Sequence, residues 1–269
     1  MDFLTIILLG LTQGITEWIP ISSKTQDAVV YAFLTGLRPQ DIPLPMLLYL
    51  HIGTVIAATI YFRKEIMELI NKFLNKPFDL RAHSRGEIGF LFTSLLFTGI
   101  IGLPLLFLEK ELFPKLDASL LFTVMGVGLL LTGFLLLMQK GAKERKIRDS
   151  NWADGVLTGI LQGFSILPGI SRAGTSTTAL IWRGFDSESS FHLSFLLSIP
   201  TVILAEFVLY VGGLSSFPLY DGILLALFSF IFGYLVLDII LRIVKKVNMA
   251  YVAFALGVII IAAGLLGWS

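Results

Sequence analysis

Pro168-Gly-Ile-Ser-Arg-Ala-Gly-Thr-Ser-Thr177 places one arginine, four hydroxyls and two glycines between runs that are otherwise nearly all apolar. Pro168-Gly169 is a breaker pair, so a helix should stop there, and Ser171 is a favoured N-cap for a new one. A fresh helix N-terminus offers unpaired backbone N–H groups and the positive end of a dipole. Arg172 adds a planar, permanently charged fork that matches phosphate oxygens in pairs. With Ser171, Gly174, Thr175 and Ser176 around it, Arg172 marks a candidate anion site suited to phosphate. An arginine among apolar helices is costly without such a role.

A second polar cluster lies near the start of the chain. Gln13 and Glu17 stand four apart, on one face of a helix, and Pro20-Ile-Ser22-Ser23-Lys24 then breaks that helix and supplies hydroxyls. If the two breaks meet, Glu17, Ser22 and Ser23 face Arg172, Thr175 and Ser176. A carboxylate beside an anion site can hold Mg²⁺ or Ca²⁺, since both take oxygen ligands, and such an ion would neutralise charge developing on phosphates. The alternative is a Glu17–Arg172 ion pair that only joins the two segments.

The elements that must position these residues follow from composition. The chain has 269 residues, 14% of them charged, with net charge +1 and no cysteine; its mean hydropathy is +0.85. This predicts an all-α, multi-spanning membrane protein. It excludes disulfides and a cysteine nucleophile, and the balanced charge gives no reason to expect a nucleic-acid partner. His51, His83 and His192 are scattered, which argues against a zinc site. Six spans are expected, at about 43–62, 87–108, 118–138, 188–211, 219–241 and 249–267, the second interrupted by Gly99, Gly102 and Pro104. Segments 1–19 with 22–36, and 152–167 with 171–183, are too short or polar to span comfortably. They read as two re-entrant helix–break–helix hairpins, allowed where protein covers the broken backbone. That makes about ten helices, with a further interfacial amphipathic helix from 63 to about 74.

The polar stretches 63–85, 139–151 and 242–248 hold most of the lysines and arginines, which makes their side cytoplasmic. Both termini then face outward in the cell membrane. The chain also repeats itself. Gly10-Leu-Thr-Gln13-Gly with Pro20 and Ser22 matches Gly159-Ile-Leu-Gln162-Gly with Pro168 and Ser171, and His51-Ile-Gly-Thr54 matches Ser198-Ile-Pro-Thr201. Three spans separate the copies, so the second is inverted. The whole chain reads as one membrane domain, with repeats at about 1–110 and 150–269 and the site at their interface.

These paired segments resemble the undecaprenyl-diphosphate phosphatase family, also called the bacitracin-resistance proteins. The resemblance covers essentially the whole chain and is strongest at Gln13–Gln26, His51–Thr54 and Gln162–Thr177. It implies an integral-membrane phosphatase, dependent on a divalent metal, that removes the terminal phosphate of a polyprenyl diphosphate at a pocket open to the outside. Carried across by motif, Glu17 is implied as a metal ligand with Gln13 at the neighbouring acidic position. Ser23 matches the family's proposed nucleophile and Ser22 its companion. Ser171 and Arg172 match its phosphate-binding pair, and Ser176 stands where threonine is usual.

The first motif departs from the family. Lys24-Thr25-Gln26 replaces Thr-Gly-His, so the family's histidine is absent, and Ala173 replaces a serine. Lys24 is expected to add positive charge at the phosphates, and Gln26 remains a substrate-binding candidate that cannot take a proton. Asp27, four residues after Ser23, is expected either to orient Ser23 or a water, or to complement the helix dipole. Asp238 and Arg242 read as a structural pair. Glu206 either lines the lipid groove or lies idle at the outer interface. His51 is expected to pack near the site. A transporter or flippase for polyprenyl phosphate or another anion is the rival reading, since inverted repeats with broken helices also suit alternating access. A homodimer is one arrangement open to such a chain.

Overall fold

A computed structural model describes residues 1–75, 86–139, 144–211, 217–244 and 247–266. Among these, eleven α-helices account for nearly all the chain: α1 (Phe3–Thr16), α2 (Ser23–Thr35), α3 (Leu44–Tyr61), α4 (Arg63–Asn75), α5 (Glu87–Leu112), α6 (Ala118–Leu137), α7 (Trp152–Gly163), α8 (Arg172–Trp182), α9 (Ser187–Val211), α10 (Leu219–Val244) and α11 (Met249–Leu265). The expected all-α class holds. The eleventh helix beyond the expected ten is the amphipathic α4.

Five helices, α3, α5, α6, α9 and α10, are long and apolar enough to cross a membrane. Their outer faces expose large apolar side chains such as Phe92, Phe107 and Phe207. In water those faces would be unstable, whereas lipid is their natural solvent. The chain is therefore a multi-pass membrane protein. The sixth expected span, α11, is apolar but has 17 described residues. Pro104 and the two glycines before it do not interrupt α5, which runs through them as one helix. Adjacent helices can re-satisfy the backbone groups that such residues free in apolar surroundings. Parts of two of the basic stretches used for orientation, 76–85 and 140–143, and residues 245–246 lie outside the described residues, as does 267 at the end of the last expected span.

The two helix–break–helix segments are present as α1–α2 and α7–α8. Each first limb lies against a long helix from the other half of the chain, α1 on α10 and α7 on α5. Small residues make this approach close enough. A Cβ on Gly14 would come within 2.7 Å of the Gly233 nitrogen, and one on Gly163 within 2.6 Å of Ile101 Cβ. Asn151 caps α7 by accepting from Ala153 N, and Ser171 caps α8 by accepting from Gly174 N. Asp154, fully buried, receives Arg145 at 2.6 Å and Arg183 at 2.6 Å, which pins the start of α7 to the end of α8.

Candidate active site

The first break is built tightly. α1 ends at Glu17, and Trp18 buries its ring while Nε1 donates to Gly233 O at 3.2 Å. The chain then turns through Pro20 and Ser22, whose φ of 62° lies in the left-handed region. A non-glycine residue held there costs about 1–3 kcal/mol and marks a place where the surroundings dictate the backbone. Gln26 Nε2 donates to Ile21 O at 3.1 Å, so its amide braces the turn. Gln26 is thus a support of the break, and it lies outside the cavity lining among the described residues.

The second break uses Gly169, at φ 83°, where only glycine is unstrained. Thr132 of α6 holds it from both sides, donating to Gly169 O at 3.0 Å and accepting from Ser171 N at 3.0 Å. The two breaks touch. Gly169 N donates to Thr25 Oγ1 at 2.8 Å, and Pro20 packs over Gly174.

At this junction Glu17 collects three donors. Arg172 Nη2 reaches Oε1 at 2.6 Å, Ser23 Oγ donates to Oε2 at 2.7 Å, and Gln13 Nε2 reaches Oε2 at 3.1 Å. Glu17 and Arg172 are 6% and 13% exposed, so the pair is largely desolvated. His51 adds its Nε2 at 3.8 Å from Glu17 Oε2, while its Nδ1 bonds Leu47 O at 2.7 Å and lies 3.6 Å from Glu206 Oε1. Lys24 is ion-paired with Glu109 of α5. All of these except Gln13 line one cavity of about 360 Å³, together with Ser22, Ser171 and Ala173 at the starts of α2 and α8. The remaining wall is mostly aliphatic, including Leu47, Leu106 and Val202. The first residues of two helices thus border one apolar-walled cavity, a geometry that favours a bound anion.

Several expected site residues stand elsewhere. Thr175 and Ser176 turn their hydroxyls back along α8: Thr175 bonds Ser171 O at 3.1 Å, and Ser176 bonds Arg172 O at 2.8 Å and Ser194 Oγ at 2.6 Å. Together with Gly174 they shape and anchor α8 behind the cavity. Asp27 is fully buried, and neither carboxyl oxygen has a hydrogen-bond partner. Ser23, which Asp27 was expected to orient, is oriented by Glu17 instead. Its hydroxyl at the first position of α2 points back toward α1 and away from the i+4 direction. Asp238 and Arg242 do form their pair, at 2.8 Å. Glu206 lines the cavity, and its Oε2 is buried without a partner.

Sequence reasoning missed Glu109 and Thr132. Glu109 sits in a Glu-Lys-Glu run at the end of a span, which reads as interfacial charge. Thr132, one of two threonines in an apolar helix, gives no signal at all.

Among the described residues, no three histidine, aspartate or glutamate side chains converge as metal ligands. Gln13 Oε1, however, is buried beside Glu17 without a partner. An amide oxygen and a carboxylate suit a hard cation that brings most of its oxygen ligands with it, as a metal–diphosphate complex does.

The model of a family described as "Bacitracin resistance protein BacA" matches residues 6–264 of the chain. Similar proteins carry the name undecaprenyl-diphosphatase. One from Methanococcoides burtonii is 35% identical, covering 94% of this chain and 95% of its own length. Another, from Haloarcula marismortui, is 36% identical over 98% of this chain and 97% of its own. A third, from Sulfurisphaera tokodaii, is 31% identical over 99% and 98%.

Proposed function

The chain belongs to the bacitracin resistance protein family, and from that membership and the cavity we infer an integral-membrane phosphatase acting on undecaprenyl-type polyprenyl diphosphates. It removes the terminal phosphate and leaves the lipid monophosphate carrier. The observation that carries this reading is the contact of Ser23 with Glu17, and of Glu17 with Arg172, at the meeting point of two helix N-termini in an apolar cavity.

The geometry supports the following division of roles. Arg172 and the starts of α2 and α8 bind the diphosphate, and the aliphatic wall takes the first isoprenoid units. The oxygen of Ser23, or of a water held by it, forms a bond to the terminal phosphorus as the bond to the bridging oxygen breaks. Glu17 accepts the nucleophile's proton, and the lipid monophosphate departs. If serine attacks, water later cleaves the phosphoserine to inorganic phosphate. Arg172 stabilises the charge on the transferring group, the kind of electrostatic term that usually dominates such reactions. Glu17 and Gln13 would hold Mg²⁺ or Ca²⁺, which neutralises diphosphate charge when bound. A carrier has no need of a hydroxyl held 2.7 Å from a carboxylate, which favours the enzyme over a transporter.

In this reading α1–α2 and α7–α8 are re-entrant hairpins, α11 is the sixth span, and the halves 1–110 and 150–269 form an inverted repeat within one domain. Two matching hydrogen bonds support the repeat: Gln13 to Thr54 at 3.4 Å, and Gln162 to Thr201 at 3.0 Å. The cavity is also bordered by Gln40 and Pro114, in the loops expected on the outer side, which supports a reading in which it opens outward and both termini face outward. Purified protein in detergent is expected to release inorganic phosphate from a polyprenyl diphosphate with Mg²⁺ or Ca²⁺, and to stop when the metal is chelated. No release with either ion would overturn the reading.

A further inference from the structure

Each basic side chain at the junction is held by an acid. Arg172 is held by Glu17, and Lys24 by Glu109. The two pairs differ in kind. Glu17 also holds Ser23 and Gln13, so it belongs to the junction itself. Glu109 comes from α5, and its side chain is 11% exposed, whereas the Lys24 stem is 33% exposed and flexible. Lys24 follows Ser23 directly and lines the same cavity as Arg172 and Glu109. Glu109 lies at the end of α5, one residue before Lys110, which also borders the cavity.

We propose that Lys24 is the diphosphate-selecting cation of the cavity and that Glu109 holds it in reserve: the incoming phosphates take Lys24 from Glu109. The proposal rests on the phosphatase reading of the cavity. The argument is one of charge. Arg172 and a helix terminus suffice for one phosphate, but a diphosphate brings a second anionic group that needs a second cation. Lys24 follows directly on Ser23, which attacks or holds the attacking water, and its four-carbon stem can swing. Glu109 keeps that ammonium from binding any single anion that enters, because a monophosphate already satisfied by Arg172 gains too little to displace a largely buried carboxylate. Lys24 is thereby the specificity-determining residue, and Glu109, in a position that no motif marks, is the residue that positions it.

The test is a double-mutant cycle on binding, with farnesyl diphosphate and farnesyl monophosphate as probes and calorimetry in detergent as readout. Glu109→Gln is expected to tighten monophosphate binding about fivefold and diphosphate binding about as much or more, by freeing Lys24. Lys24→Met is expected to weaken diphosphate binding about tenfold and to change monophosphate binding less than twofold. In the Lys24→Met background, Glu109→Gln is expected to have no further effect on either ligand. If the Glu109→Gln effect survives in that background, or if Glu109→Gln weakens binding, the pair is only a strut between α2 and α5 and the proposal falls. Should Lys24→Met not fold, Lys24→Gln, which keeps a hydrogen bond to Glu109, completes the cycle. Turnover of the wild-type protein is measured in the same preparation. Diphosphate binding with the expected cycle but no phosphate release would sink the phosphatase reading and leave the role of Lys24 and Glu109 standing. Normal release with an additive cycle would do the reverse.

Discussion

At the first break the chain turns on Ser22, held at φ 62°; at the second it turns on Gly169 at φ 83°, where no strain arises. The first carries Glu17, Ser23 and Lys24 into the cavity, and the second carries Arg172 and otherwise small or apolar residues. Where a shift of 149 positions would put Glu17 in the second half, Ile166 stands. The glutamine at the base of each break is kept, and each bonds a threonine on a neighbouring long helix. The second hairpin is pinned at its open end by the Asp154–Arg145–Arg183 cluster and at its tip by Thr132. One hairpin thus supplies a rigid cationic cradle, and the other supplies the acid, the hydroxyl and the strain. In the proposed reading a shared sequence pattern is divided between binding and chemistry, while Gln13 and Gln162, common to both segments, each bond a threonine of a long helix.

This division can be broken in order of expected effect. Ser23→Ala should lower turnover by about 10²–10⁴-fold with little change in substrate affinity, read from kcat and KM separately. Comparable turnover would move the nucleophile away from Ser23 and leave a water placed by other groups. Asp154→Ala, far from the cavity, should instead destabilise the second hairpin. Losing a buried carboxylate between two arginines costs about 3 kcal/mol, or roughly 6–12 °C in the melting temperature of the detergent-solubilised protein. An unchanged melting temperature would mean the cradle is held by Thr132 alone.

The two glutamines give the sharper contrast. Gln162→Ala should cost about 1 kcal/mol of stability and little activity. Gln13→Ala should cost activity about tenfold, because it strips a donor from Glu17 and an oxygen from the proposed metal position. Equal effects on activity would erase the asymmetry argued above. The smallest effect concerns Asp27. Its carboxyl is buried with both oxygens unpartnered, so Asp27→Leu should raise stability by about 1–3 kcal/mol, checked by thermal melting. A loss of stability would show that the carboxyl has a favourable partner after all.

Much of the site was legible in the sequence, for reasons that differ by residue. Glu17, Ser23, Ser171 and Arg172 are polar residues at helix breaks inside apolar runs, where cost alone signals purpose. Their meeting was also readable, because the same Gly-x-x-Gln-Gly pattern precedes both breaks. Thr175 and Ser176 misled because hydroxyls in a helix can satisfy themselves on the carbonyl three or four residues back, a choice that spacing does not reveal. Asp27 shares the i+4 spacing with Ser23, yet Ser23 begins its helix and turns toward Glu17. Glu109 was invisible because its partner, Lys24, lies 85 positions away. The long spans were read from hydropathy to within a few residues. Pro104 was overread as an interruption, since close neighbours in an apolar bundle can compensate for a missing N–H.

The central claim is that Glu17 of one hairpin and Arg172 of the other act as a unit on the transferring phosphate. The most direct test is phosphate release from a polyprenyl diphosphate by Glu17→Gln, Arg172→Ala and the double variant, with melting temperatures recorded beside each. The account predicts that each single change lowers turnover about 10²–10³-fold, and that the double change costs little more than the worse single one. A folded single variant that keeps wild-type turnover, or losses that multiply fully in the double, would contradict it.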